Sequence, residues 1–132
     1  MEKWRRVWRV GLVPHISHSG LLALRTALVQ DDPRLVQGRV SIPPPLDAIR
    51  ACAIEGACAL GYCGWRGEGL SSVGRVLDFY CRICELADGE FNEPAACRYF
   101  LKWFDDTPRA DMRRELLIEV NLALNDRMPC AA

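Results

Sequence analysis

Apolar side chains recur every three or four residues along most of the chain, and this spacing predicts amphipathic α-helices. One face of a first helix carries Trp4, Val7, Trp8 and Gly11. Ser19 stands where a capping residue is expected for a second helix over residues 20–30, because its hydroxyl can accept a backbone hydrogen bond. Pro33 prevents that helix from continuing.

The same periodicity predicts four further helices, at about 46–60, 73–88, 94–104 and 108–126. The segment 46–60 is apolar on nearly every side, which is typical of a helix at the centre of a fold. Ser72 is the expected cap of the helix at 73–88. The expected core face of that helix is Val76, Leu77, Tyr80, Cys84 and Ala87.

The least regular part of the chain is residues 31–45, which ends in three consecutive prolines. Proline enforces an extended path and excludes helix. Weak alternation over residues 36–42 indicates a short strand, whose partner in a small β-hairpin would follow Leu60. We therefore predict an all-α protein: one domain over residues 1–132, a compact bundle of five or six helices with a proline-rich extended arm at 31–45.

Composition narrows the class of protein. The chain carries 17 basic and 17 acidic side chains in 132 residues, and half of its residues are hydrophobic. Neutrality removes the general electrostatic case for a nucleic-acid partner. No apolar run reaches membrane-spanning length, and the longest one near the N-terminus, residues 10–13, is too short for a signal peptide. We therefore expect a cytoplasmic protein that does not bind a membrane.

Charge is unevenly distributed: residues 1–45 carry seven basic and three acidic groups, and residues 46–97 carry four basic and eight acidic groups. Lys3, Arg5, Arg6 and Arg9 surround two tryptophans, a combination that also suits phosphate contact or a membrane interface. The favoured interpretation buries both tryptophans and leaves the arginines in water or paired with the acidic middle segment.

Seven cysteines raise the question of metal binding. Two pairs at short spacing, Cys58 with Cys63 and Cys81 with Cys84, resemble the two-plus-two ligand pattern of a zinc site, and His15 and His18 are potential additional ligands. The favoured interpretation is that the cysteines are reduced and serve as small buried hydrophobes, so that no cofactor is needed. A zinc-binding module is the alternative.

Residues 61–69 contain four glycines between two predicted helices. We interpret them as a loop in which backbone N–H groups, Arg66 and the start of the next helix could surround an anion or a partner. The candidate binding residues are Gly64, Trp65, Arg66, Gly67 and Ser72. The chain lacks the Lys-Ser/Thr ending of a phosphate-binding loop.

Cys63 lies in the same segment and suggests a third function class, a thiol enzyme. A nucleophilic cysteine requires a base within hydrogen-bond reach. His15 and His18 are the available imidazoles, and both are distant along the chain. The leading hypothesis is therefore a small, non-catalytic helical interaction or accessory domain whose partner is a protein.

Overall fold

The computed structural model describes residues 1–127. The chain begins with α1 (Lys3–Arg6), which continues as a π-helical stretch over Val7–Leu12 and a 3-10 turn over Val13–His15. The remaining elements are α2 (His18–Gln30), β1 (Ser41–Ile42), a 3-10 turn (Asp47–Ile49), β2 (Gly56–Ala57), α3 (Ala59–Tyr62) with a π-helical continuation (Cys63–Gly67), α4 (Val73–Phe91), α5 (Arg98–Asp106) and α6 (Arg109–Arg127).

The prediction of a helical bundle with a small hairpin is confirmed. β1 and β2 form a two-stranded antiparallel sheet in which Ser41 lies opposite Ala57. The first strand lies within the arm, as predicted, but its partner precedes Leu60 rather than following it. The sheet ties the arm to the core, where Leu35 is fully buried.

The predicted central helix over residues 46–60 is wrong. Only the short turn Asp47–Ile49 and the first two residues of α3 are helical there. The backbone between them pairs with the arm instead: Glu55 N–H donates to Ile42 O at 2.7 Å, and Ala57 N–H donates to Arg34 O at 2.9 Å. These long-range hydrogen bonds override the helical preference of the alanines.

The predicted glycine loop at 61–69 is also wrong, because the chain is helical through Gly67. A Cβ atom on Gly64 would lie 2.7 Å from the Phe79 ring, and one on Gly67 would lie 2.7 Å from the backbone nitrogen of Gly20. Gly64 therefore allows α4 to pack closely against this helical segment, and Gly67 allows α2 to do so. Neither glycine forms a turn.

The helix ends show which local signals correspond to real caps. Ser72 caps α4 as predicted, accepting a hydrogen bond from Arg75 N–H. The cap of α2 is Ser17 rather than Ser19, with its hydroxyl accepting from Gly20 N–H at 3.0 Å. Asn92 adopts a left-handed conformation that ends α4. The next helix consequently begins at Arg98, four residues later than predicted.

The first helical segment is held by aromatic and ionic contacts. Trp4 and Trp8 are buried, as favoured, and Trp4 stacks on Trp103 of α5 with ring centroids 3.5 Å apart. Arg6 is exposed to water, as expected, but Arg5 and Arg9 pair with neither water alone nor the acidic middle segment. Arg9 instead donates two hydrogen bonds to Glu119 of α6, at 2.6 and 2.8 Å, because α6 lies alongside this segment.

Glu119 is only 1% exposed, so its carboxylate depends on protein groups in place of water. Arg5 binds the same carboxylate at 3.0 Å and also contacts Glu115. The hydrogen bonds from Arg9, followed by those from Arg5, outweigh burial and hold the pKa of Glu119 below its ordinary value of 4.5. The ion cluster thus joins the two ends of the described chain.

Replacing Glu119 with Gln should lower the free energy of unfolding at pH 7 by about 2–4 kcal/mol, because two arginines lose a buried counter-charge. The lowered pKa means that this stabilisation is present above about pH 5 and is lost as the pH falls through the folded-state value. Denaturant unfolding at pH 7 and pH 3 should therefore differ less in E119Q than in the original chain. Glu115→Gln is the control, and an equal effect of both would contradict this account.

Gly67→Ala should destabilise the protein by about 1–3 kcal/mol or more, because the added methyl group overlaps the backbone of Gly20. The control is Gly89→Ala on α4, where nothing lies within 4 Å of the added atom. That change should raise stability by about 0.5–1 kcal/mol through helix propensity. Thermal unfolding followed by circular dichroism measures both effects, and a neutral Gly67→Ala would refute the close crossing of α2 and the continuation of α3.

Candidate functional site

The turn after α2 and the helix that starts at α3 meet at one aromatic surface. Trp65 is half-buried there, and the Tyr62 ring packs edge-on against it with centroids 5.7 Å apart. Two guanidinium groups lie over the Trp65 ring, that of Arg34 at 5.5 Å and that of Arg66 at 5.4 Å. We call these four residues the Trp65 surface.

A carboxylate fixes one side of this surface. Asp32 accepts hydrogen bonds from the Arg34 guanidinium at 2.8 and 3.0 Å and from the Tyr62 hydroxyl at 2.9 Å. The Arg34 hydrogen bonds hold the pKa of Asp32 far below its ordinary value. Burial and the bond to Asp32 raise the pKa of Tyr62 to about 12. The network therefore keeps one charge state around neutral pH.

The other side of the surface carries an unbalanced charge. Arg66 is exposed, and no carboxylate of residues 1–127 lies within 4 Å of its guanidinium. Arg34, by contrast, is paired with Asp32. The Trp65 surface therefore combines a half-buried indole ring with one cation that is available to a partner.

The five candidate binding residues separate into two groups. Trp65 and Arg66 reach the surface, as their residue types led us to expect. Gly64 and Gly67 face inward against Phe79 and Gly20, and their backbone belongs to a helix rather than to an anion-binding loop. The Ser72 hydroxyl is occupied in capping α4.

The four cysteines of the zinc alternative are not gathered at one point. Cys58 and Cys63 are buried, whereas Cys81 is exposed on α4. Cys84 is buried on the inner face of α4. Among residues 1–127, no three His, Cys, Asp or Glu side chains are arranged to hold a metal ion. The six cysteines in this range are all free thiols, and Cys130 lies outside the described residues.

The position of Cys63 does not suit a nucleophile. Its side chain is completely buried, and burial raises the pKa of its thiol well above the ordinary value. A reactive cysteine needs the opposite, a lowered pKa and access to solvent. The imidazole of His15 lies 3.7 Å from Glu90.

Sequence reasoning missed Asp32, Arg34 and Tyr62. The Asp-x-Arg spacing just after α2 is a local signal that could have indicated the ion pair, because the Arg34 backbone N–H also binds Asp32 at 2.9 Å. Tyr62 gave no such signal, since its contact with Asp32 spans thirty residues. Only the fold brings these segments together.

Comparison with known proteins gives no indication of what this chain does. No known protein family, curated protein or solved structure matches the chain. Within residues 1–127, every helix is too short or too polar to cross a bilayer. The function of the chain must therefore be inferred from the physical properties of the Trp65 surface.

Arg66→Ala should leave the free energy of unfolding within about 0.5 kcal/mol of the original value, because the side chain is exposed. Ser72→Ala should lower it by about 1 kcal/mol, since α4 loses its cap. Urea unfolding of the two variants measures the contrast. A large loss of stability in R66A would make Arg66 a structural residue rather than a binding residue.

Proposed function

We propose that this chain is a non-catalytic helical interaction module that binds an acidic segment of a partner protein through the Trp65 surface. The observation that carries the proposal is the exposed Arg66 guanidinium beside a half-buried tryptophan. Tryptophan and arginine are the residue types that most often dominate binding energy at protein interfaces. A carboxylate of the partner would pair with Arg66 while apolar groups cover the ring.

The charge of the surface favours a peptide over a nucleic acid. Nucleic-acid binding relies on several cations that together neutralise phosphates. Here Asp32 neutralises Arg34, and Glu68 follows Arg66 by two residues. A single available cation matches one or two partner carboxylates better than a run of phosphates.

The protonation states of the surface support binding without catalysis. General acid or base catalysis works best with a group that titrates near the operating pH. Asp32 stays ionised and Tyr62 stays protonated around neutral pH, because their pKa values are displaced in opposite directions. These groups are suited to holding Arg34 and Trp65 in place.

We also propose a cytoplasmic location for the module. The six thiols of residues 1–127 are free, and two of them, Cys52 and Cys81, are exposed. Exposed free thiols are typical of proteins in reducing compartments. The location therefore fits a partner that is itself intracellular.

The proposal can be tested with a fluorescein-labelled peptide of twelve residues, alternating Glu and Gly, titrated with the full chain. Fluorescence anisotropy should show binding that weakens by about fivefold to tenfold in Arg66→Ala, which corresponds to about 1–1.4 kcal/mol. Arg66→Glu should weaken it further by placing like charges together. Trp65 fluorescence should change on binding in the original chain.

The matched control is Lys102→Ala, which removes an exposed cation from α5 and should leave the peptide affinity unchanged. A single-stranded DNA oligonucleotide of equal length forms the second arm of the titration. Tighter binding of the DNA than of the acidic peptide would replace this proposal with a nucleic-acid function. Equal affinity of R66A and the original chain for the peptide would reject the Trp65 surface.

A further inference from the structure

α6 exposes one regular row of side chains along most of its length. Arg114, Ile118, Leu122 and Asp126 are exposed and recur at every fourth position, with Asn125 beside the last of them. The other positions from 114 to 126 are buried or half-buried, because α2 packs against α6 and the first helical segment lies along it. We call the four residues the α6 row. It is the part of this stretch that another molecule can reach.

The centre of the α6 row is apolar, although it faces water. Ile118 is 49% exposed and Leu122 is 43% exposed. The exposed face of a helix in a globular protein normally carries polar residues. Two aliphatic side chains that lie one helical turn apart on such a face are stabilised when a partner covers them, because apolar area is then removed from water.

The two ends of the α6 row carry opposite charges. Arg114 and Asp126 are about 18 Å apart along the helix, too far to pair with each other. Among residues 1–127, no basic group lies within 4 Å of the Asp126 carboxylate. Arg114 contacts Asp111 at 3.1 Å and Glu115 at 3.9 Å, and solvent-exposed pairs of this kind contribute little. Both charges are therefore available to a partner.

The order of residues along the α6 row is complementary to itself. Its midpoint lies between Ile118 and Leu122, and Arg114 and Asp126 are equally far from that midpoint. A twofold axis through the midpoint, at right angles to the helix, sets two copies of α6 side by side and antiparallel. Each Ile118 then faces Leu122 of the second copy, and each Arg114 faces Asp126 of the second copy. A symmetric homodimer uses the same surface on both copies in this way.

The shape of the surface suits this contact. Rows of residues spaced by four are the ridges that interlock in the commonest class of helix packing, with axes inclined by about 50°. A hollow of about 170 Å³ lies beside the row, and Leu122 and Asp126 form part of its lining together with Trp8 and Val13. Because Ile118 of the second copy faces Leu122, its side chain reaches this hollow, which has room for an aliphatic group.

We propose that the α6 row is an interface at which two copies of this chain form a reversible, symmetric homodimer with antiparallel α6 helices. Half-exposed aliphatic side chains at the centre and one ion pair at each end make a contact of the small, transient class. The dimer therefore forms and dissociates with protein concentration. No residue of the Trp65 surface belongs to α6, so the proposal is independent of the peptide-binding function.

Sedimentation velocity of the full chain, from about 5 μM to about 500 μM, tests the proposal. We expect the sedimentation coefficient to rise with concentration to the value of a dimer and then to level off, because a twofold contact closes on itself. Raising the ionic strength to about 0.5 M should weaken the dimer, since exposed ion pairs are screened by salt.

Charge reversal tests the pairing of the two ends. Arg114→Glu and Asp126→Arg should each weaken the dimer by about tenfold or more, because like charges then meet at both ends of the contact. An equimolar mixture of the two variants should dimerise as the original chain does, since every end again joins opposite charges. A chain with both substitutions should recover the dimer for the same reason. In a parallel arrangement identical residues would meet, and neither single substitution would weaken the dimer.

Ile118→Lys tests the apolar centre and should leave the chain monomeric over the whole concentration range. The matched control is Leu46→Lys, which changes a leucine outside α6 that is 59% exposed and should leave the dimer intact. Far-ultraviolet circular dichroism checks that each variant is folded. The proposal is overturned if the original chain stays monomeric at the highest concentration, or if R114E and D126R dimerise as well as the original chain. A monomeric chain that sediments with phosphatidylcholine–phosphatidylserine vesicles would instead assign the α6 row to a lipid surface.

Discussion

The carboxylate of Glu119 sets the main constraint on how this chain is assembled. A charge removed from water must be matched by nearby donors, and Arg5 and Arg9 are the groups that supply them. This requirement fixes the first helical segment along α6. The same placement brings Trp4 onto Trp103 and Trp8 onto Phe100, so that the ionic contact and the aromatic core stabilise one arrangement.

The Asp32 network also pairs a carboxylate with arginine, but it lies closer to solvent than Glu119 and has a different effect. Around Glu119, the guanidiniums are consumed by carboxylates of α6. At the Trp65 surface, Asp32 forms an ion pair with Arg34, whereas Arg66 has no carboxylate partner among residues 1–127. The first cluster therefore stabilises the fold, whereas the second leaves the Arg66 charge available to another molecule beside a half-buried tryptophan.

Local sequence signals predict α2, α4 and α6 because their periodicity is sustained and bounded by caps or proline. The same signals are less successful in assigning faces. On α4, Phe79 and Ile83 are buried, whereas Leu77 and Tyr80, which were expected in the core, are only half-buried. The error arises because Gly64 packs against α4 and, having no side chain, leaves room for the Phe79 ring.

Long-range contacts account for the features that sequence could not provide. Alanines in residues 46–60 favour helix locally, but the backbone of Glu55, Ala57 and Cys58 forms hydrogen bonds with the arm instead. The glycines in residues 61–67 resemble a turn in the sequence, but in the structure α2 packs against this segment. For the candidate site, Trp65 and Arg66 were singled out because they lie in a predicted glycine loop, which the structure replaces with a helix. Tyr62 could not be identified from the sequence, because its contact with Asp32 depends on how separate segments dock.

The meeting of Gly20 and Gly67 has an evolutionary consequence. A side chain at position 67 would overlap the backbone of Gly20, whereas one at position 20 would meet the side chains of Ile16, Ser17 and Cys63 at 3.1–3.2 Å. Position 67 is therefore the more restricted of the two, and distant relatives of this chain should retain its glycine even where their surface residues have diverged. Such a position offers a criterion for recognising common ancestry that does not require knowing what any of these proteins binds.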